Sequence, residues 1–358
     1  MVAEALPGLT AGRVRRPTVS FEIMPPRRPQ AAPKFWETAR RLVAVHPDFV
    51  SVTYGAAGGD RDTARSVVAS LLDGTPVLPV AHLTCVGASR EDVSAVIDDF
   101  LDAGVRTFLA LRGDPPTDQP DWRPAAGAVE SSIELVHLLR EVEERRCAED
   151  PGTALRGAAR PLTIAVATFT NGNPAAGTTR DQEIERLLEK QRAGAGFAIT
   201  QLFYEADSYS EFVTRARAAG VTIPILAGLL PTTEPRRLRR VEELTGVVPP
   251  QHLLDELDAL PDPEAQHAHG IAYSVELARR VLDAGAPGLH VYTFNKYRPA
   301  LDLLEGVDLG GGARGTDHRT GHDAGTDAPG PDADLARRPR VPGIPSHAPA
   351  AASPLAET

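Results

Sequence analysis

The chain of 358 residues has only two cysteines, two methionines and two tryptophans, and its aromatic fraction is 5%. Cys85 and Cys147 are too few and too far apart for a disulfide framework or a cysteine-based zinc site, so a reducing compartment fits. No run approaches the roughly 18 uninterrupted apolar residues that a membrane helix needs. The N-terminus, MVAEALPGLTAGRVRRP, places its basic residues after the short apolar stretch and carries acidic Glu4 early. That is the reverse of a secretory signal, and the expected location is the cytoplasm. Positive charge is also short: Lys and Arg number 38 against 48 for Asp and Glu, a formal net charge of −10. A nucleic-acid backbone is therefore a poor main partner. Small anionic ligands need only a local positive patch and stay open.

What is present looks globular. The apolar fraction of 42% and charged fraction of 24% match soluble domains. The length could serve one large domain or two ordinary ones, with a sizeable core in either case. Short β-branched runs alternate with longer stretches of helical spacing. The expected strands are TVSFEI (18–23), FVSVTY (49–54), VLPVAHLTC (77–85), TFLAL (107–111), LTIAVATF (162–169), FAITQLF (197–203), IPILAGLL (223–230) and GLHVYTF (288–294). Expected helices cover 35–45, 62–72, 90–103, 131–145, 181–193, 209–219, 235–245 and 264–284.

Several helical segments share one ending: DAGVRTF, RAGAGFAIT, AAGVTIPIL and DAGAPGLHV each put Ala-Gly before the next strand. A glycine there suits the left-handed C-terminal cap. About eight strand and helix pairs in alternation indicate a parallel sheet, and their span of roughly 290 residues predicts a closed (β/α)₈ TIM barrel. An open doubly wound sheet is disfavoured, because no glycine-rich phosphate fingerprint follows the first strand. The division expected is a flexible N-terminus (1–16), a catalytic barrel (17–305) and a disordered tail (306–358), the last almost without bulky apolar residues. Residues 147–161, CAEDPGTALRGAARP, read as a flexible insertion before the fifth strand.

In such a barrel the working residues sit at the C-terminal strand ends and the loops that follow. This singles out Glu22, Thr53, Tyr54, His82, Thr84, the Arg112-Gly113-Asp114 run, Phe169, Gln201 and the stretch from Tyr292 to Lys296. Each has a plain alternative. A strand-end carboxylate is more often solvated or salt-bridged than catalytic, and a lone interior histidine is usually a satisfied core group. Arg112-Gly113-Asp114 could be a simple turn. Gln201 could bond a neighbouring backbone group, since a buried amide needs a partner. Glu22, Thr53, His82, Asp114 and Gln201 pointing inward together are a poor choice for stability alone.

The segments VSFEIMPPR, FVSVTYGAAGGDRDTA, AHLTC, ALRGDPP, AGAGFAITQLFYEADSY, IPILAGLLP and APGLHVYTFNK, in this order over about residues 17–305, resemble the bacterial, flavin-dependent methylenetetrahydrofolate reductase family. The resemblance implies a (β/α)₈ barrel that binds FAD and reduces 5,10-methylenetetrahydrofolate to 5-methyltetrahydrofolate with NADH or NADPH, supplying methyl groups for methionine synthesis. It implies catalytic roles for Glu22, the general acid, and Asp114, a fixed negative charge beside the flavin and pterin. Cofactor contacts implied are Thr53, Tyr54, Ala56, His82, Arg112, Gly113, Asp114, Phe169, Asn173, Ala176, Glu183 and Lys190. Substrate contacts implied are Gln201, Arg237 and Lys296. The family is commonly oligomeric, so a homo-oligomer is a further expectation. Departures from the family pattern lie mainly in the stretch Phe169 to Pro174, where an expected histidine is Asn173, and at Glu189, Ser131, Arg237, Val241 and Lys296. A folate-binding regulatory paralogue without flavin, or a flavin-independent pterin or iminium reductase, is the alternative those departures motivate.

Overall fold

The computed structural model describes residues 16–54, 59–113, 123, 127–307 and 309. The first half runs β1 (Thr18–Ile23), α1 (Ala32–Val43), β2 (Phe49–Val52), α2 (Gly59–Gly74), β3 (Leu78–Thr84), α3 (Arg90–Asp102), β4 (Thr107–Leu111), α4 (Ser132–Glu149) and α5 (Pro151–Ala159). The second runs β5 (Thr163–Thr168), α6 (Arg180–Arg192), β6 (Phe197–Thr200), α7 (Ala206–Ala218), β7 (Ile225–Leu229), α8 (Pro235–Thr245), α9 (Gln251–Asp258), α10 (Pro263–Asp283), β8 (Gly288–Tyr292) and α11 (Tyr297–Gly306). The strands close in sequence order into a parallel barrel, with β8 paired to β1. The TIM barrel expected from the alternation is therefore the fold. No helix among the described residues is long and apolar enough to cross a membrane.

Strand alternation sorts the side chains into two layers. On β1, Val19, Phe21 and Ile23 face outward and pack under the helices, with Phe21 fully buried. Burial of such a ring contributes about 1.5–3 kcal/mol. Inside the barrel, Phe49, Val80, Leu109, Ala165, Phe197, Ile199 and Leu226 form a separate apolar plug. Phe49 and Phe197 meet there at 5.8 Å between ring centroids. Among the polar inward residues of β1 and β8, His290 stacks on Phe49 of that plug at 5.7 Å between ring centroids.

The shared Ala-Gly endings do what their sequence suggests. At Gly104, Gly194, Gly220 and Gly285 the backbone turns left-handed. Each glycine N–H bonds the carbonyl three residues back, and the following N–H bonds the carbonyl five back, as in Gly104 to Leu101 and Val105 to Phe100. This double closure satisfies the last helix carbonyls and turns the chain straight into the next strand.

The expected flexible insertion at 147–161 needs correction. Cys147 to Glu149 extend α4, and Pro151–Ala159 is the helix α5, which packs on α4. The Asp150 carboxylate accepts from the N–H groups of Gly152 (3.2 Å) and Thr153 (2.8 Å), and Pro151 opens the helix where its missing N–H costs nothing. Alanine-rich composition then favours helix over coil. Two further helices, α9 and α11, also went unread. In the segment expected to be flexible at the start, Arg16 makes a two-pronged pair with Asp48 at 3.0 and 3.1 Å. The rest of that segment, residues 1–15, and the tail apart from residues 306, 307 and 309 lie outside the described residues.

Candidate active site

Glu22 sits on the inward side of β1, at the C-terminal mouth of the barrel, with 17% of its side chain exposed. Burial pushes its carboxyl from the usual 4.5 up to about 7, because an ionised carboxylate loses its water there. Across the mouth, His82 Nε2 of β3 lies 3.8 Å from Glu22 Oε2. That is too long for a hydrogen bond, and the buried Nε2 has no partner among the described residues. Burial pushes the His82 imidazole down to about 3, so it is neutral near pH 7. A carboxyl that readily keeps its proton and a neutral imidazole thus face each other without forming an ion pair. Both retain polar atoms for a ligand.

The backbone carrying Glu22 is clamped from β8. The Thr293 hydroxyl donates to the Glu22 carbonyl at 2.6 Å. The Asn295 amide then takes the place of another strand: its Oδ1 accepts from the Met24 N–H (2.9 Å) and its Nδ2 donates to the Met24 carbonyl (2.7 Å). To deliver that amide, Phe294 and Asn295 both adopt positive φ, 46° and 56°. Two such non-glycine residues in succession are strained, a feature that clusters at functional sites.

Around the acid, β8 supplies two more inward groups. His290 accepts or donates at Nδ1 with the Ser20 hydroxyl (2.8 Å), stacks on Phe49, and is pushed down to about 3, chiefly by burial. Tyr292 is the register neighbour of Glu22, and its hydroxyl donates to the Thr200 carbonyl of β6 at 2.7 Å.

Other residues singled out from the sequence divide into those at the mouth and those elsewhere. Thr53, half-buried, continues the inward alternation of β2, and its N–H bonds the Ile23 carbonyl at 3.0 Å. Tyr54 instead turns into the layer between barrel and helices, buried 6.1 Å from the Phe100 ring. Alternation alone explains this, since Tyr54 has the parity of outward-facing Val52. Arg112 is exposed, with Nε donating to the Gly113 carbonyl at 3.3 Å. Gly113 has φ +87°, and a Cβ there would come within 2.5 Å of Val86. Ala56 and Asp114 lie outside the described residues.

Phe169 is half-buried past β5, and Asn173 caps the short turn Pro174–Ala176, accepting from the Ala175 N–H at 3.0 Å. Ala176 is exposed in that turn. Glu183, buried on α6, accepts from the Thr178 hydroxyl (2.6 Å) and from Arg186 (3.1 Å). Lys190 is buried about two turns farther along the same face, donates to the Ala167 carbonyl at 2.8 Å, and has its pKa lowered by burial. Gln201 is half-buried; its Oε1 accepts from the Leu202 N–H at 2.9 Å, which is the plain local alternative weighed for it. Arg237 and Lys296 converge on Glu234 at the rim, the first at 3.9 Å and the second in direct contact. The Thr293 and Asn295 clamp and the reach of Tyr292 were not legible as roles; the only sequence signal was the polar run at the end of β8.

Comparison with known proteins identifies the family. Residues 10–308 match the family model described as methylenetetrahydrofolate reductase. The 5,10-methylenetetrahydrofolate reductase of Pectobacterium carotovorum subsp. carotovorum is 32% identical over 296 residues, covering 82% of this chain and 91% of that protein. The one from Escherichia coli (strain K12) is 31% identical over 280 residues, covering 78% and 86%. Among solved structures, an uncharacterised protein from Clostridium thermocellum that binds two copies of 5-methyl-5,6,7,8-tetrahydrofolic acid superposes with a TM-score of 0.57 at 12% identity, covering 86% of this chain and 99% of that one. That likeness shows the fold alone. With the family model matched from before β1 to the end of α11, this chain belongs to the methylenetetrahydrofolate reductase family.

Proposed function

We propose that the chain is an oxidoreductase that reduces 5,10-methylenetetrahydrofolate to 5-methyltetrahydrofolate, with FAD as hydride carrier and NADH or NADPH as donor. The observation that carries the proposal is Glu22: a buried carboxyl at the barrel mouth, held by a strained clamp, with a pKa near 7. Protonating a nitrogen of the folate's five-membered ring opens it to the iminium that accepts hydride. A carboxyl near pKa 7 is available for that at neutral pH, whereas one at 4.5 is ionised. Buried His82 is neutral and presents an unpartnered nitrogen beside it, suited to a ligand's polar edge. Gln201, which shares the inward strand parity, is proposed to offer its amide to the pterin, and Asp114 is the proposed negative charge that favours the iminium.

The residues present fit a flavin. His82 Nε2 and Thr84 Oγ1, buried and unpaired among the described residues, are polar atoms that a ring edge would satisfy. Gly113 brings backbone close over Thr84 and Val86, and the exposed Arg112 offers a cation for an anionic tail. The remaining cofactor contacts proposed are Thr53, Ala56, Phe169, Asn173, Ala176, Glu183 and Lys190, whereas Tyr54, packed on Phe100 in the outer layer, is set aside. A flavin bound there would supply hydride transfer. Arg237 and Lys296, at the rim, are proposed to meet the folate's acidic end. We place the protein in the cytoplasm, as one step of methyl supply for methionine synthesis.

The test is the absorbance spectrum of the purified protein, before and after added FAD, together with NAD(P)H oxidation in the presence of methylenetetrahydrofolate. A yellow, flavin-loaded protein that forms methyltetrahydrofolate is expected. A colourless protein that takes up no FAD and oxidises no NAD(P)H refutes the proposal and favours a non-catalytic, folate-binding role.

A further inference from the structure

Tyr292 lies beside Glu22 in the β8–β1 register and faces the same interior. Its ring reaches past β7 so that the hydroxyl meets the Thr200 carbonyl of β6. Gly228 of β7 makes this possible: a Cβ there would lie 2.8 Å from Tyr292 Cε2, 3.0 Å from its hydroxyl oxygen and 2.1 Å from the Thr200 carbonyl oxygen. The two strands also make room. Their register pairs are Ala198 with Ile225 and Ile199 with Leu226, and beyond them the Gly228 N–H goes to the Thr200 hydroxyl at 2.9 Å. The Thr200 carbonyl is thereby left for the phenol. Residues of three strands hold one ring in one place.

We propose that Tyr292 is a positioning residue for the acid: its ring is a fixed apolar wall that keeps water from Glu22, and its hydroxyl is turned away and bound elsewhere, so that Glu22 keeps its proton. The inference rests on Glu22 being the acid of the proposed reaction. A phenol has a single hydrogen to donate. Donated to Glu22, it would stabilise the carboxylate and draw the proton off; donated to the Thr200 carbonyl, it cannot. Nothing else described around Glu22 supplies the opposite effect. His82 stands across the mouth at 3.8 Å, and His290 lies one inward pleat below Tyr292, held by Ser20; both are neutral near pH 7. Asp114 lies outside the described residues. Desolvation is the cause of the raised Glu22 pKa, and Tyr292 is the large side chain next to it on β8.

The test reads Glu22 without turnover, as the carboxyl band in the infrared difference between the full chain and its Glu22→Gln variant, followed across pH. The wild-type midpoint is expected near 7. In a Tyr292→Ala background it should fall by about one pH unit or more, as water reaches the carboxyl. Tyr292→Phe keeps the wall and should stay close to wild type. Should Tyr292→Ala not fold, Tyr292→Leu, which opens the wall in part, is read in the same way. A midpoint unmoved in the Ala or Leu variant, or moved as far by Phe, overturns the proposal. A wild-type midpoint near 4.5 overturns instead the assignment of Glu22 as a neutral-pH acid. In turnover, the basic limb of folate reduction should move with the midpoint while reduction by NAD(P)H is retained. A rate lowered equally at every pH, with the limb in place, would mark Tyr292 as merely structural and refute the inference.

Discussion

Replacing Glu22 by Gln should stabilise the protein at alkaline pH and do little for it at acid pH. In the unfolded chain the carboxyl titrates near 4.5, and in the folded barrel near 7. Between those values the unfolded state has released a proton that the folded state retains, so the difference in bound protons, unfolded minus folded, is about −1. Stability therefore falls as pH rises through this window, and is fully restored only below the unfolded value. At about 1.36 kcal/mol per pH unit, the gap from 4.5 to about 7 corresponds to roughly 3 kcal/mol of destabilisation above pH 7. A neutral amide of the same shape has no such cost. Urea unfolding of wild type and Glu22→Gln at about pH 5 and about pH 8.5 should show the variant's advantage growing by an amount on the order of 2–3 kcal/mol. An advantage that is the same at both pH values, or that shrinks as pH rises, would refute the desolvated state of Glu22.

Gly228→Ala should lower stability by about 1–3 kcal/mol, since its Cβ would overlap the Thr200 carbonyl and the Tyr292 ring; an unchanged melting temperature would contradict the close approach of β6, β7 and β8. Asn295→Gly keeps the positive φ but deletes both amide bonds to Met24, and should cost about 1–3 kcal/mol while lowering the folate-reducing rate. Full activity in that variant would show that the clamp does not position Glu22. The rings of His82 and His290 should stay neutral, with flat NMR shifts, from about pH 8 to about pH 5. A midpoint near the ordinary 6.5 for either would mean that water reaches the barrel interior.

The barrel was legible because local signals agreed with one another. Phe49 and Val50, or Ala198 and Ile199, read equally well as strand residues wherever they point, and the Ala-Gly caps marked where each helix had to stop. Strand ends were read one to three residues too long everywhere but β1 and β4; at β2, β5 and β6, for instance, Tyr54, Phe169 and Phe203 are apolar enough to extend a strand pattern yet lie beyond the last paired residue. The helix at Pro151 was legible in principle, since Asp150 caps the N–H groups two and three residues on and Pro151 suits the first helical position, but Gly152 and Gly157 look like loop formers and outweighed that local signal. In the site, Glu22 and His82 were legible from strand parity alone. Tyr54 was not, because the family resemblance named it while parity sent it outward. The clamp from Asn295 and the tether of Tyr292 join residues more than 90 positions from their partners, and no pattern along the chain encodes such pairs.

The central claim is that Glu22 donates the proton that lets folate accept hydride. Stopped-flow measurement of the two half-reactions in Glu22→Gln tests it most directly. Reduction of the bound flavin by NAD(P)H should be retained, and oxidation of the reduced flavin by methylenetetrahydrofolate should slow by roughly 100-fold or more. Equal loss of both half-reactions, or retention of both, would contradict the claim.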